Sequence, residues 1–202
     1  MNSMNQPVEM NERWRLFIAV NTPDTVKTEI ERAQEEIRRG LRDARIAWTR
    51  REQFHLTLRF LGDVEAARVP ALTEVLNGVC KGFGAINLRS EAVGCFPNLA
   101  RPRVIWVGVK DEQEQLARLV SRIEAAVSGF TDEKREERFS GHITLGRIKD
   151  INRRSSDNLA RIMQDMARKA FGQWRAETIE LMRSELSSQG ARHAVVSKIP
   201  LS

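Results

Sequence analysis

Apolar and polar positions along this chain switch repeatedly between the strand period and the helix period. Trp14 to Val20 (WRLFIAV) is an almost continuous apolar run, which predicts a buried strand. Asp24 to Arg39 changes to helical spacing, with Val26, Ile30, Ala33, Ile37 and Leu41 on one face. Phe54 to Leu61 returns to period two and predicts a second strand. A helix is expected from about Glu65 to Val79, with Val69, Leu72, Val75, Leu76 and Val79 inward, then a strand pair around Ile86 to Phe96. The order then recurs. Val104 to Val109 (VIWVGV) predicts a strand, and Glu112 to Ser128 a helix with Leu116, Leu119, Val120, Ile123 and Val127 as its apolar stripe. His142 to Ile148 predicts a strand and Ser155 to Ala170 a helix, with closing strands near Thr178 to Leu186 and His193 to Ile199.

The recurrence has a nearly constant offset. Phe17 to Trp106 is 89 positions, and His55 to His142 is 87. A strand–helix–strand–helix–strand unit has been used twice, over about 13–98 and 103–200, with no Pro- or Gly-rich linker between the copies. These features predict an α+β fold in a single bilobal domain over 13–202, its two lobes related by a pseudo-twofold axis. Each lobe is expected to carry a largely antiparallel sheet with outer helices, with a cleft between the lobes. The polar residues 1–12 are expected to form a disordered leader.

Composition narrows the partner more than the fold. A net charge of +6 on 202 residues favours a polyanion, with nucleic acid the commonest. No apolar run reaches the roughly 18 residues needed to span a bilayer. Cys80 and Cys95 form neither a metal-ligand spacing nor a disulfide framework, which suits a reducing cytoplasm. A monomer is the default expectation.

The candidate chemistry lies in a duplicated tetrapeptide. Of three histidines, two open the sequences His55-Leu56-Thr57-Leu58 and His142-Ile143-Thr144-Leu145. On a strand, alternation sends His and Thr to one face and the two apolar residues to the other. Two such strands brought together present two imidazoles and two hydroxyls to one cleft. Imidazole titrates near pH 6.5, so a pair can hold one neutral and one protonated member near neutrality, enough for metal-free acid–base chemistry on a phosphate.

These motifs and their surroundings resemble the RNA 2′,3′-cyclic phosphodiesterases, also called 2′-5′ RNA ligases, of the two-histidine (2H) phosphoesterase superfamily. The resemblance runs from Trp14 to Leu201. It rests on LFIAV, WTRREQFHLTLRFLGDV, GCFPN, RPRVIWVGV, FSGHITLGRIK and LMRSELSSQGARHAVVSKIPL. It implies hydrolysis of a terminal 2′,3′-cyclic phosphate to a 2′-phosphate, with His142 as the base that activates water and His55 as the acid that protonates the 3′ oxygen. Thr57 and Thr144 then donate to the non-bridging oxygens, where charge builds up. Reversibility adds a weak 2′-5′ ligase activity. No cofactor or metal is implied.

Other residues are read against blander roles. Arg147 and Lys149 lie five and seven positions past His142, so simple alternation turns both away from the His-Thr face. Arg147 reaches the phosphate only through a strand end or a bulge. Arg59 reads as a rim residue. Phe139 and Phe96 are candidates for stacking a base, with core packing the simpler role, and Trp14, Trp48, Trp106 and Trp174 read as core. Two departures from the family pattern stand out. Gly141 replaces a frequent proline before the second histidine and loosens the expected approach to it, and His193 replaces a frequent tyrosine. Alternatives are a same-fold enzyme acting on a small cyclic nucleotide or an ADP-ribose cyclic phosphate, a non-catalytic RNA-binding module, and a zinc hydrolase, for which the ligand spacing is missing.

Overall fold

Nine strands and four α-helices are arranged over residues 12–134, 138–187 and 190–202, the residues that the structure, a computed structural model, describes. The expected leader lies outside them up to position 11. Glu12 is fixed: its carboxylate accepts from the Trp14 indole (2.7 Å) and its carbonyl from Ala66 N (2.8 Å).

The elements are β1 (Arg13–Asn21), α1 (Asp24–Gly40), β2 (Arg45–Trp48), β3 (His55–Glu65), α2 (Val69–Cys80), β4 (Ile86–Phe96), β5 (Val104–Lys110), α3 (Gln115–Val127), β6 (His142–Asp150), α4 (Arg153–Asp165), β7 (Ala170–Ala176), β8 (Thr178–Ser187) and β9 (Gly190–Pro200). Several boundaries differ from the sequence expectation for local reasons. The region expected to hold a strand pair is one strand, β4, bulged at Ala92, whose φ is +58°. Helix α4 starts earlier because Asn152 caps it, its Oδ1 accepting from Ser155 N at 2.8 Å. It also ends earlier, and Ala170 opens an edge strand, β7, that the sequence pattern did not announce. Short β2 was missed as well. Its four residues alternate without any strongly apolar run.

All pairings are antiparallel, in a four-stranded sheet of order β3-β1-β8-β9 and a five-stranded sheet of order β2-β6-β5-β4-β7. Helices α2 and α3 cover the first sheet; α1 and α4 cover the second. The α+β, two-sheet architecture matches the expectation, but the lobes are not the sequence halves. The first half sends α1, β2 and β4 to the second sheet, and the second half sends α3, β8 and β9 to the first. Neither lobe can therefore be completed by its own half. The pseudo-symmetry survives the exchange, since β3-β1-β8 corresponds to β6-β5-β4.

Strand β1 is buried from Leu16 to Val20, and its two faces do different jobs. Leu16, Ile18 and Val20 join the main core, whereas Phe17 and Ala19 cluster with Met182 on the other side.

Arg59, expected at a rim, is instead buried, with 7% of its surface exposed. It ion-pairs with Glu124 of α3 at 3.3 Å and donates to the carbonyls of Glu133 (2.6 Å) and Lys134 (2.9 Å). It thereby fastens the segment after α3 to β3. Removing one member of a buried pair leaves an uncompensated charge. Arg59→Met is therefore expected to cost about 3–5 kcal/mol in denaturant unfolding, and Arg59→Met/Glu124→Leu to recover most of it. A single variant as stable as the parent would contradict this.

Candidate active site

The two histidine strands face each other across a cleft of about 710 Å³ between the sheets. His55, Thr57, His142 and Thr144 all line it. The reason is burial of their neighbours: Leu56, Leu58, Ile143 and Leu145 are at most 4% exposed, which turns the intervening polar residues outward.

The alternation then breaks at the same place in both strands. Opposite β1, the pairing passes from Thr57↔Ala19 to Arg59↔Ile18, leaving Leu58 as an extra residue. Opposite β5, it passes from Thr144↔Trp106 to Gly146↔Ile105, leaving Leu145 as the extra residue. Each is a β-bulge that reverses the facing of the strand residues beyond it. After the bulges Phe60 pairs with Phe17, Arg147 pairs with Val104, and both reach the cleft. Arg147 is thus turned to the side that simple alternation denied it, and Arg59 to the core side. Gln34, buried on α1, holds the second bulge: its Nε2 donates to the Leu145 and Thr49 carbonyls, both at 2.8 Å. Thr49 N adds a second donor to the Leu145 carbonyl at 2.9 Å.

Each imidazole is held by a backbone carbonyl two residues earlier. His142 Nδ1 lies 2.7 Å from the Ser140 carbonyl oxygen, which can only accept. Nδ1 therefore carries the proton, and in neutral His142 the Nε2 lone pair is free. The His55 ring donates to the Gln53 carbonyl. The Gln53 side chain reaches across to the Ala191 carbonyl at 2.7 Å, tying this turn to β9.

Aromatic rings pack both histidines in related ways. Phe17 stacks on His55 at 5.0 Å, and His193 meets His55 edge-on at 5.3 Å. Phe96 meets His142 edge-on at 4.9 Å, with Trp106 6.5 Å away. Trp106, read as core, is instead half-buried opposite Thr144, its indole lying over Gly94, where a Cβ would collide with it. Trp48 lines the cleft while packing on the core, and Trp14 and Trp174 pack on the core. Phe139 packs against the core and lines a neighbouring cavity, so only Phe96 of the two stacking candidates stands beside a histidine.

Phe60 is the residue that sequence reasoning passed over. It is 49% exposed at the cleft and 5.9 Å from Phe17. Its position 87 before Arg147 was the available signal.

Gly141 does not loosen the approach to His142. A Cβ there would lie 2.6 Å from the Val109 carbonyl, and Gly141 O accepts from Val109 N at 2.8 Å. Close packing against β5 excludes a side chain at this position.

Burial, followed by the charges of His193 and Lys27, pushes the pKa of His55 down to about 4, against the opposing pull of the Gln53 carbonyl. Burial lowers His193 too. Arg15, Arg50 and Arg147 line the cleft, with Glu133 the one carboxylate among the described residues. Among the described residues, no three His, Cys, Asp or Glu side chains form a metal-ligand group, and no helix is long and apolar enough to cross a membrane.

A sequence model described as "LigT like Phosphoesterase" matches twice, over residues 20–106 and 107–193. An Archaeoglobus fulgidus protein named RNA 2′,3′-cyclic phosphodiesterase is 32% identical over 87% of this chain and 94% of its own. An Aquifex aeolicus protein of the same name is 28% identical over 93% of this chain and 97% of its own. Among solved structures, TT0787 of Thermus thermophilus superposes with a TM-score of 0.75 at 28% identity, covering 93% of this chain and 97% of that one. Escherichia coli LigT complexed with 3′-AMP shares the fold, with a TM-score of 0.70 at 22% identity over 95% and 99% of the two chains.

The depressed His55 pKa has a stability consequence. Unfolded His55 takes a proton near pH 6.5, whereas the folded chain resists until about pH 4. The contribution is fully present above pH 6.5 and is lost as pH falls through that window. At about 1.4 kcal/mol per pH unit, wild type is expected to lose up to about 3 kcal/mol more than His55→Gln between pH 7 and pH 4. Urea unfolding of both proteins at the two pH values checks this; equal losses would count against it.

Proposed function

This chain belongs to the LigT-like phosphoesterase family and is a two-histidine phosphoesterase; on that premise we propose that it hydrolyses the 2′,3′-cyclic phosphate at the end of an RNA to a 2′-phosphate. The observation that carries the reading is the pair of carbonyl-held imidazoles from opposite sheets in one cleft. The names of the relatives supply the substrate class.

In this mechanism the cyclic phosphate sits between the histidines. His142 Nε2 takes a proton from water as the water oxygen bonds to phosphorus. The P–O3′ bond breaks, and His55 gives its proton to the departing 3′ oxygen, leaving a 3′-hydroxyl and a 2′-phosphomonoester. Thr57, Thr144 and Arg147 donate to the non-bridging oxygens as charge builds up there. Phe60 and Phe96 hold the terminal base, Phe96 because its ring meets His142, whereas Phe139 packs against the core and lines the neighbouring cavity. With a 5′-hydroxyl in place of water, the same proton transfers form a 2′-5′ linkage.

His55 is neutral in the empty cleft at pH 7, so it takes up its proton from solvent as the substrate binds. An anionic phosphate beside the ring raises its pKa. The alkaline limb of kcat is therefore expected at higher pH than that of kcat/KM, because kcat reports the substrate complex. Coincident limbs would argue that His55 is not the donor.

His55→Ala and His142→Ala are each expected to lower turnover of a cyclic-phosphate-ended oligonucleotide by about 10²–10⁴-fold. The double variant should fall little below the worse single, because the pair acts as a unit. Thr57→Ala and Thr144→Ala should each cost about 1.5–3 kcal/mol of transition-state stabilisation. His193→Ala should stay within a few-fold of wild type, and excess chelator should leave turnover intact. Near-normal turnover by either active-site histidine variant, or a 3′-phosphate product, would remove the reading.

A further inference from the structure

Two further cavities adjoin the cleft, and their charges differ. One, of about 730 Å³, meets it at Thr57, Phe60, Glu133 and His142, and its carboxylates (Asp111, Glu114, Glu124, Glu133) are matched by the cations Arg59, Lys110, Lys134 and Arg138. The other, of about 340 Å³, shares Phe60, His142, Thr144 and Arg147 with the cleft. Its remaining walls are Phe96, Val104, Arg138 and Ser140, and among the described residues it has no carboxylate. A polynucleotide carries a negative charge at every linkage, so a strand leaving the cleft gains little net attraction along the first, charge-balanced path and is drawn along the second, where Arg138 and Arg147 give a cationic excess.

Beyond the smaller cavity lies the β4–β5 loop. Arg103 N donates to the Phe96 carbonyl at 2.7 Å, and the Arg103 carbonyl accepts from Ile148 N at 2.8 Å. The loop is thus fixed between the aromatic wall and the strand residue next to Arg147. Its turn is closed by Asn98, whose Oδ1 and carbonyl lie 3.1 and 3.3 Å from Arg101 N. Arg101, Arg103, Arg138 and Arg147 are exposed, and among the described residues none is ion-paired. Leu99, 44% exposed, adds apolar surface to the same loop.

Resting on the function proposed above, we propose that this face is the docking surface for the body of the RNA. The strand upstream of the cyclic phosphate leaves past Arg147 and Phe96 and lays its phosphates on Arg138, Arg103 and Arg101. The favoured substrate is then an oligonucleotide end rather than a cyclic mononucleotide, which fills only the cleft and the Phe60–Phe96 slot. Such phosphate contacts position the strand without reading its sequence.

The test compares a 2′,3′-cyclic mononucleotide with a pentanucleotide ending in the same cyclic nucleotide, for wild type, Arg101→Gln/Arg103→Gln and Glu114→Gln. Wild type is expected to favour the pentanucleotide in kcat/KM by about tenfold or more at low salt, where phosphate contacts weigh most. The double-arginine variant should lose most of that preference and keep its mononucleotide rate. Its salt dependence on the pentanucleotide should be shallower by about 1.4 on a log–log scale, the share of two single-strand phosphate contacts. Glu114→Gln should leave the substrate ratio unchanged; a shifted ratio would place the strand in the larger cavity and overturn the track. No wild-type preference, or an equal loss on both substrates in the arginine variant, would overturn it as well. Failure of wild type to hydrolyse either substrate would instead defeat the proposed function itself.

Discussion

Burial of four aliphatic side chains governs the site. Leu56 and Leu58 on β3, and Ile143 and Leu145 on β6, fill the cores beneath the two sheets. Side chains on a strand alternate strictly, so burying these four leaves His55, Thr57, His142 and Thr144 only the opposite face. A one-residue slip in either strand would bury an imidazole and expose two aliphatic groups. The penalty for that slip fixes the register, and the register presents the chemistry.

The bulges extend this constraint. By adding one residue at Leu58 and one at Leu145, they let a strand serve the core and the cleft with different phases along its length. The same device has different outcomes in the two copies. In the first it places an aromatic ring, Phe60, at the cleft and buries Arg59; in the second it places a cation, Arg147, at the cleft and packs Gly146 below. Pseudo-symmetry in the backbone therefore yields an asymmetric cleft. The rings around the histidines repeat the lesson: Phe96 lies against His142 on one side, whereas the titratable His193 lies against His55 on the other. The charge of His193, after burial, helps hold the His55 imidazole neutral.

Exchange of elements makes the cleft a property of the whole chain. Since α1 and β4 complete the sheet that holds His142, and α3 and β8 complete the sheet that holds His55, neither half builds its own histidine wall. Gln34 is the clearest instance. It belongs to the first copy yet fixes the bulge that aims Arg147 in the second, 111 residues away.

The sequence alone determined the repeat, the main elements, and the common face of each His-Thr pair, because these depend on spacing within a few residues. Periods of two and 3.6 are local properties, and they were legible for β1, α1, β3, α3 and β6. Short β2 and edge strand β7 escaped, since four half-exposed residues and a mixed polar stretch carry little periodic signal. Only the tertiary structure decided where Arg147, Arg59, Phe60 and Trp106 point. A bulge is set by register against a partner strand distant in sequence, and no count along one strand reveals where that register shifts. Which lobe each helix completes was likewise decided in three dimensions, by which sheet had an uncovered apolar face for it to bury.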